Sequence, residues 1–298
     1  MSQQTLSLGM VGYGEVGRIF CAGLKVQVAS VSAWDLKFAA DPLGEARSHA
    51  QQAGVRVLPG SMQDLCASAT LIISAVTASN TLAVAEAAAP HLRAGSFFLD
   101  LNSASPGTKQ AAAKVVEAAG AHYVEAGVMT SVPPHGIRVP MLLGGPRAME
   151  LAVTLTAWGL DAKVVAAEIG VASAIKMCRS VMIKGLEALV IESYTTARAY
   201  GVEEHVLPTL AETFPSIDWA QTGAYFFSRV VQHGQRRAEE MRECANTVAE
   251  AGFDPIMAAA IAAKQQWVAD WARAGVFARV GKGAGWQEYA DASLAGRQ

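Results

Sequence analysis

A glycine-rich turn between a predicted strand and a predicted helix constrains the fold of this chain more than any other segment. The apolar run 6–11 predicts a strand, the motif GYGEVG follows at residues 12–17, and a helical pattern begins at once. In such a unit the first glycine permits a tight turn, the second lets a ligand approach the backbone, and the third lets the helix pack closely. The free N–H groups at the helix start suit the phosphates of a dinucleotide. A glycine turn without a ligand is the alternative reading.

An acidic residue ends the next predicted strand. Residues 28–34 have strand composition, and Asp35 follows them. A carboxylate at this position accepts hydrogen bonds from the ribose hydroxyls of NAD. We therefore expect NAD as cofactor, although Lys37 adds a positive charge that could tolerate the phosphate of NADP. The expected contacts on this side are Gly12, Tyr13, Gly14, Glu15, Val16 and Asp35.

Strand-like and helix-like segments alternate from residue 6 to residue 166. The uninterrupted apolar run 71–76 is typical of a central parallel strand that is covered on both faces. The alternation predicts an α/β domain with a doubly wound, Rossmann-type sheet, which we assign to residues 1–168. Ligands of such sheets bind beyond the carboxyl ends of the strands.

Mostly small and polar residues follow two of these predicted strands. We expect Val76 and Thr77 to contact the cofactor, because they follow one central strand. The segment DLNSASP at residues 100–106 follows the next strand and precedes a helix. Asn102 and Ser103 are therefore candidates for binding a substrate carboxylate near that helix start. The alternative is that Ser and Asn in this segment only cap the helix.

The second half of the chain has helical patterns only, at residues 203–213, 217–227, 229–251 and 255–274. It predicts an all-α domain over residues 169–298, joined to the first by a long interdomain helix at 170–199. That helix is apolar on most of its surface, which is typical of a buried helix. Its polar residues form one stripe: Ser173, Lys176, Ser180, Lys184 and Glu187. The stripe either faces solvent or lines a cleft between the domains and holds a catalytic amine.

Charge and composition exclude several classes of partner. Lys plus Arg is 24 and Asp plus Glu is 26, so the formal net charge of −2 offers no electrostatic case for nucleic acid or an anionic membrane. The apolar runs are shorter than a membrane span needs. The first residues lack a basic region followed by an apolar one, and the four cysteines are scattered, so we expect a cytoplasmic protein with no secretory signal and no metal site.

These motifs together resemble the β-hydroxyacid dehydrogenase family, which includes 3-hydroxyisobutyrate and 6-phosphogluconate dehydrogenases. The resemblance covers nearly the whole chain, and the helical half looks like that of a less characterised subgroup. The family's substrate loop, D-x-S-T-x-x-P, is similar to residues 100–106. Its catalytic segment, G-x-G-x-x-x-K-x-x-x-N, is similar to residues 170–180, with Ala172 for the middle glycine and Ser180 for the Asn. A second departure is AGVMT at residues 126–130, where many relatives have APVSG.

The resemblance implies the chemistry. It assigns the role of general acid/base to Lys176, whose pKa desolvation and the nearby Lys184 would lower towards neutrality. It makes Ser180 a substrate contact and leaves Lys184 as a supporting charge or as an ion-pair partner of Glu187 or Glu192. Arg237, beside His233 and Arg236, either binds an anionic substrate or cofactor or lies on a solvated face that pairs with Glu239, Glu240 and Glu243.

Three functions follow from these residues. The first is an NAD-linked oxidoreductase acting on a small β-hydroxyacid, with or without decarboxylation of the product. The second is an imine reductase on the same scaffold, against which Lys176 counts because such relatives generally lack the lysine. The third is a dinucleotide-binding protein without turnover. We also expect a homodimer or larger homo-oligomer, because the helical half carries apparently exposed aromatics and because relatives pair through this domain. These aromatics are Trp219, Phe226, Phe227, Trp267 and Trp271.

Overall fold

The computed structural model describes residues 6–58 and 62–296 of the chain. Their contacts divide the chain into two compact units, residues 1–177 and residues 178–298. The first unit is α/β and the second is helical, as the alternation of segments predicts.

A single sheet of eight strands runs through the described part of the first unit. The strands are β1 (Ser7–Val11), β2 (Ser30–Trp34), β3 (Arg56–Val57), β4 (Leu71–Ser74), β5 (Phe97–Asp100), β6 (His122–Val128), β7 (Met141–Gly144) and β8 (Ala162–Ala166). Their order in the sheet is β3-β2-β1-β4-β5-β6-β7-β8. The first six strands are parallel, whereas β7 runs antiparallel to β6 and parallel to β8. The order 3-2-1-4-5-6 is that of the Rossmann fold, which confirms the predicted fold class.

Seven α-helices in the described part of the first unit connect the strands. They are α1 (Glu15–Leu24), α2 (Leu36–Ala40), α3 (Glu45–Gln52), α4 (Met62–Ser68), α5 (Thr81–Ala88), α6 (Pro106–Ala118) and α7 (Ala148–Ala157). Alternate residues of the central strands enter two separate apolar clusters. Ile73 and Leu99 belong to one cluster, and their neighbours Ile72 and Phe98 belong to the other. Because side chains of a strand alternate between faces, the sheet is covered on both sides, as the unbroken apolar runs indicate.

A long helix begins in the first unit and continues into the second. The helices from this point are α8 (Val171–Tyr200), α9 (Glu203–Thr213), α10 (Trp219–Glu250), α11 (Ile256–Arg273) and α12 (Trp286–Ala295). The boundary between the units falls inside α8, between Met177 and Cys178. The first turn of α8 is hydrogen-bonded to Glu125 in the sheet of the first unit. Among the described helices none is long and apolar enough to cross a membrane.

Two expectations for the helical unit are wrong. The predicted helices 217–227 and 229–251 form the single helix α10, because Ser228 between them neither breaks the helix nor starts a cap but accepts a hydrogen bond from Gln232 Nε2 at 3.2 Å. The aromatics expected on the surface pack inward: Trp219 and Phe227 are buried in an apolar cluster against which Phe226, Trp267 and Trp271 are partly buried. The aromatic argument for a dimer therefore fails.

Candidate active site

The three glycines of the turn between β1 and α1 meet different surroundings. Gly12 has φ +93°, and a Cβ there would lie 2.4 Å from the carbonyl oxygen of Ala75. A Cβ on Gly17 would lie 2.1 Å from the carbonyl oxygen of Gly12, whereas one on Gly14 would meet nothing within 4 Å. The first and third glycines thus let the turn and helix pack. The second faces open space that a side chain would fill, at the start of a helix, which fits the pyrophosphate of a dinucleotide.

Asp35 holds the glycine turn from the end of β2. Its Oδ2 accepts a hydrogen bond from the main-chain N–H of Tyr13 at 2.6 Å, and its Oδ1 accepts one from the N–H of Lys37 at 2.9 Å. Both oxygens keep further lone pairs, so the carboxylate can still accept bonds from ribose hydroxyls. The side chain of Tyr13 is buried, with its hydroxyl 3.2 Å from His49 Nδ1, and burial raises the pKa of Tyr13 to about 12. Any contact of Tyr13 with a cofactor therefore involves its main chain.

The other predicted cofactor contacts lie at the same edge of the sheet. Glu15 and Val16 open α1, exposed and half-buried respectively. Val76 and Thr77 follow β4, which is the neighbour of β1, and the Thr77 hydroxyl accepts a hydrogen bond from Asn80 Nδ2 at 2.7 Å. Strand order reverses between β1 and β4, and ligands of doubly wound sheets bind at such a point.

Asn102 joins two strand-end loops and is buried. Its Oδ1 accepts from the N–H of Val76 at 2.7 Å, and its Nδ2 donates to Ser74 Oγ at 3.0 Å. The main-chain N–H of Asn102 donates to Asp100 Oδ1 at 2.8 Å. The side chain predicted to bind substrate is thus engaged in fixing the loop after β5 to the loop after β4.

A buried charged cluster lies beneath the loop after β5. Lys109 Nζ lies 3.0 Å from Asp100 Oδ1 and donates to the carbonyl of Asp100 at 3.1 Å. The Tyr123 hydroxyl donates to Asp100 Oδ2 at 2.5 Å. Burial, and then the charge and hydrogen bond of Asp100, raise the pKa of Tyr123 well above its ordinary value. The amine and the carboxylate are about 1% exposed, so this pair holds the loop in a water-free setting.

Lys176 and Ser103 meet at the carboxyl edge of the sheet. The Lys176 amine donates to Ser103 Oγ at 2.5 Å, and both residues are half-buried. Ser105 Oγ, by contrast, caps α6 by accepting from the N–H of Thr108 at 3.3 Å. Ser105 thus caps the helix, as the alternative reading of the DLNSASP segment has it, whereas Ser103 contacts the predicted acid/base.

Glu125 connects β6 to the first turn of α8 and is fully buried. Its Oε1 accepts from the N–H of Gly170 at 2.7 Å and from that of Ala172 at 3.0 Å. Its Oε2 accepts from the N–H of Ser173 at 3.3 Å and from the Ser173 hydroxyl at 2.7 Å. One carboxylate thus serves several of the N–H groups that a helix start leaves without partners.

The polar stripe of α8 does not face solvent. Ser173, Ser180, Lys184 and Glu187 are all buried, and the large exposed residues of this helix include the apolar Met182 and Leu189. The solvent-facing alternative is therefore wrong for these four residues.

Ion pairs in the second unit explain why charged residues of the stripe are buried. Lys184 pairs with Glu240 at 2.9 Å, and not with Glu187 or Glu192 as the sequence suggests. Arg237 is buried and binds Glu187 through two nitrogens, with Nε to Oε2 at 2.9 Å. Its guanidinium, predicted either to bind substrate or to pair with a solvated acid, is thus committed to an acid of α8.

Sequence reasoning missed the buried groups behind the site. Lys109, Tyr123 and Glu125 carry no motif, and the partners of Tyr123 and Glu125 lie far away in the chain: Glu125 and Gly170 are 45 residues apart. The available signal was a charged residue in an otherwise apolar strand, YVEAGV at 123–128. Buried charges are rare unless they are paired, so such a residue calls for a partner. Among the described residues no group of three or more His, Cys, Asp or Glu could hold a metal ion.

Comparison with known proteins agrees with this architecture. Residues 7–148 match the NAD binding domain of 6-phosphogluconate dehydrogenase, and residues 197–268 match a domain of unknown function, DUF1932. A conserved hypothetical protein from Sinorhizobium meliloti 1021 is 36% identical, with 100% of this chain and 98% of that chain covered and a TM-score of 0.74. A conserved protein of unknown function, described as structurally similar to 3-hydroxyacid dehydrogenases, is 32% identical, with 90% and 98% covered and a TM-score of 0.68.

More distant structures share the fold. The 3-hydroxyisobutyrate dehydrogenase of Mycobacterium tuberculosis, solved with L-serine, is 15% identical, with 99% of this chain and 100% of that chain covered and a TM-score of 0.68. Imine-reducing enzymes share it too, at 18% identity, with 91 to 98% of this chain covered and TM-scores of 0.51 to 0.57.

Proposed function

The chain belongs to the β-hydroxyacid dehydrogenase family, and from this premise we propose that it is a nicotinamide-dependent oxidoreductase of a small β-hydroxyacid. The observation that carries the proposal is the contact of Lys176 Nζ with Ser103 Oγ at the carboxyl edge of the sheet. An amine at hydrogen-bond distance from a hydroxyl has the arrangement that proton exchange with a substrate alcohol requires. A dinucleotide-binding protein without turnover would not need an amine at this place.

Different residues of the chain have different roles in the oxidation of an alcohol. The glycine turn and Asp35 hold the dinucleotide, which when bound supplies the acceptor for the hydride. Ser103 offers a hydroxyl that orients the substrate through hydrogen bonds. Lys176 takes the proton of the substrate hydroxyl on oxidation and returns it on reduction. Ser180, on α8 four residues after Lys176, is proposed as a further substrate contact, whereas Arg237 is proposed to support α8 through Glu187.

A screen of β-hydroxyacids, with NAD or NADP reduction followed by absorbance, tests the proposal. We expect turnover with at least one small β-hydroxyacid, and analysis of the product will reveal whether the β-ketoacid loses CO₂. Lys176→Met should lower kcat by about 10² to 10⁴ and leave NAD affinity unchanged, because it removes a positioned proton-transfer group. Lys176→Arg should not restore activity, since a guanidinium keeps its proton near neutral pH.

Lys114→Met is the matched control, because this lysine lies exposed on α6. It should leave kcat and NAD affinity as they are. Near-normal turnover of the Lys176→Met protein would rule out the proposed role of Lys176. Reduction of cyclic imines without any hydroxyacid oxidation would favour the imine reductase alternative.

We propose NAD as the preferred cofactor. The Asp35 carboxylate lies at the end of β2, tied by the N–H groups of Tyr13 and Lys37, so its negative charge is fixed where it would repel a 2′-phosphate. Asp35→Asn removes that charge and should reduce the ratio of kcat/KM for NAD to kcat/KM for NADP by about tenfold or more. The ratio for the unchanged protein is the control, and a value of one or below would contradict the preference.

A further inference from the structure

We propose that Glu125 is a positioning residue that sets the place of the Lys176 amine by anchoring the first turn of α8 to the sheet. The inference rests on the proposed function in one respect, that Lys176 is the acid/base. It assigns to a buried carboxylate, which touches neither substrate nor cofactor in this scheme, a part in aligning the reacting group.

Several hydrogen bonds from the start of α8 meet on one carboxylate. Glu125 accepts from three main-chain N–H groups and one hydroxyl of residues 170–173, at 2.7 to 3.3 Å. A negative charge at a helix start also interacts favourably with the helix dipole. Because Glu125 is fully buried, solvent screens these interactions little. The start of α8 is thus bound to β6 by charge-assisted hydrogen bonds, which are stronger than neutral ones.

Two glycines provide the space for this contact. Gly127 lies two residues after Glu125 on β6, so the two positions face the same side of the sheet. A Cβ on Gly127 would lie 2.9 Å from the carbonyl oxygen of Ala172 and 3.5 Å from Cβ of Lys176. Gly144 pairs with Glu125 across the strands, and a Cβ there would lie 2.6 Å from Glu125 Oε1. We call Glu125, Gly127 and Gly144 the α8 socket: the acid binds the helix, and the glycines let it approach.

The two residues of the Lys176–Ser103 pair are held in place by separate contacts. Ser103 belongs to the loop that Asp100 and Lys109 hold after β5. Lys176 lies one turn after Ser173, which Glu125 binds. Asp100 and Glu125 are register partners on β5 and β6. The distance between amine and hydroxyl is therefore set across one pair of neighbouring strands, and loss of the α8 socket should change it while leaving the glycine turn on β1 unaffected.

The experiment compares Glu125→Gln and Gly127→Ala with the unchanged protein. Glu125→Gln keeps the shape of the side chain but replaces an acceptor oxygen by a donor, so at least one N–H of residues 170–173 loses its partner. Gly127→Ala keeps the carboxylate and displaces the helix instead. Glu117→Gln is the control, because this glutamate lies exposed on α6 and loses the same charge.

Three measurements are made on each full-length protein. Acetylation of Lys176, followed by peptide mass spectrometry across a pH series, reports the reactivity of the amine without any substrate. Calorimetry gives the NAD affinity. Where the screen has found a substrate, kcat and KM are compared. For both variants we expect the rate of Lys176 acetylation to change at least threefold, or its pH midpoint to shift by at least half a pH unit. The NAD affinity should stay within twofold of that of the unchanged protein. The fall in kcat should exceed any rise in KM.

Unchanged acetylation and unchanged kcat in a folded Glu125→Gln protein would overturn the inference, because Glu125 would then serve stability alone. If that protein loses NAD binding and has misfolded, the Gly127→Ala protein is used instead. Unchanged acetylation and unchanged kcat in a folded Gly127→Ala protein would then overturn the inference. If no β-hydroxyacid is oxidised by the unchanged protein, the proposed function fails, but the acetylation profiles still decide whether Glu125 positions Lys176.

Discussion

The glycines of the turn after β1 differ in the space that surrounds them, so substitutions at each should have different effects. Gly14→Ala places a methyl group in open space, so we expect an unchanged melting temperature and an NAD affinity lower by about tenfold or more, because the methyl group would occupy the room for the pyrophosphate. Calorimetry and thermal unfolding measure the two quantities.

Two further glycine variants serve as comparisons for this prediction. Gly281→Ala, where a Cβ also meets nothing within 4 Å, is the control and should change neither quantity. Gly12→Ala requires a positive φ and a contact of 2.4 Å, so it should lower the free energy of unfolding by about 2 kcal/mol or more. A Gly14→Ala protein with normal NAD affinity would contradict the assignment of the turn to the cofactor.

At the scale of elements, Arg198 joins three helices of the second unit. On α8 it pairs with Glu203 of α9 and, at 2.7 Å, with Asp291 of α12. Its hydrogen bonds hold the pKa of Asp291 and that of Glu203 below their ordinary values. A carboxyl group whose folded pKa is depressed contributes stability above its unfolded pKa and loses that contribution as the pH falls through the folded pKa.

The pH dependence of unfolding tests this network. We expect the Asp291→Asn protein to melt slightly below the unchanged protein at pH 7, because exposed ion pairs contribute little. The difference should begin to shrink as the pH falls below about 4 and should disappear once the pH has passed the lowered folded pKa of Asp291, where that carboxyl is protonated. Asp270→Asn, which removes an exposed partner of Arg273 within one helix, is the control. A difference that stays constant down to pH 2 would contradict the role assigned to Asp291.

Local sequence signals predicted the bounds of a helix well where the chain has residues that begin or end a helix. α9 has the predicted bounds, Glu203–Thr213, since Gly201 precedes it with φ +66° and ends α8. The break predicted inside α10 was wrong because Ser228 is a weak stop, and the helix gains more by packing without interruption. Side-chain periodicity thus predicts elements, but not whether two short helices join.

The candidate site was predictable only in part, and for a physical reason. Gly12, Asp35 and Lys176 lie in short motifs whose spacing reflects local geometry, so their places in the fold could be inferred. The α8 socket and the pair of Asp100 and Lys109 depend on strands and helices meeting in space. Asn102 illustrates the limit: its type and place suggest a substrate contact, but nothing in the sequence indicates that its side chain accepts a hydrogen bond from the N–H of Val76, 26 residues away.

For the whole molecule, we retain the prediction of a dimer, but we base it on residues other than the five aromatics first considered. Phe253, Ile256 and Met257 lie exposed at the turn from α10 to α11. Adjacent large apolar side chains on a surface favour association with a second copy. Light scattering at micromolar concentration should give the mass of a dimer, and Ile256→Asp should shift it towards the monomer.

Leu43→Asp is the control for this shift, since Leu43 is 93% exposed in the first unit and should not affect the mass. A monomeric mass for the unchanged protein would contradict the prediction.

The α8 socket has a consequence for which sequences the fold tolerates. Glu125 recognises main-chain N–H groups of residues 170–173, and every residue except proline presents such a group. The exposed Val171 side chain takes no part in this recognition, so it is free to vary. Saturation mutagenesis should therefore find Val171 permissive, whereas the φ of +111° restricts Gly170 and the hydroxyl bond to Glu125 restricts Ser173. The strand opposite should accept almost no change at Glu125 or Gly127. The place of Lys176 thus depends on a strand that lies about fifty residues before it.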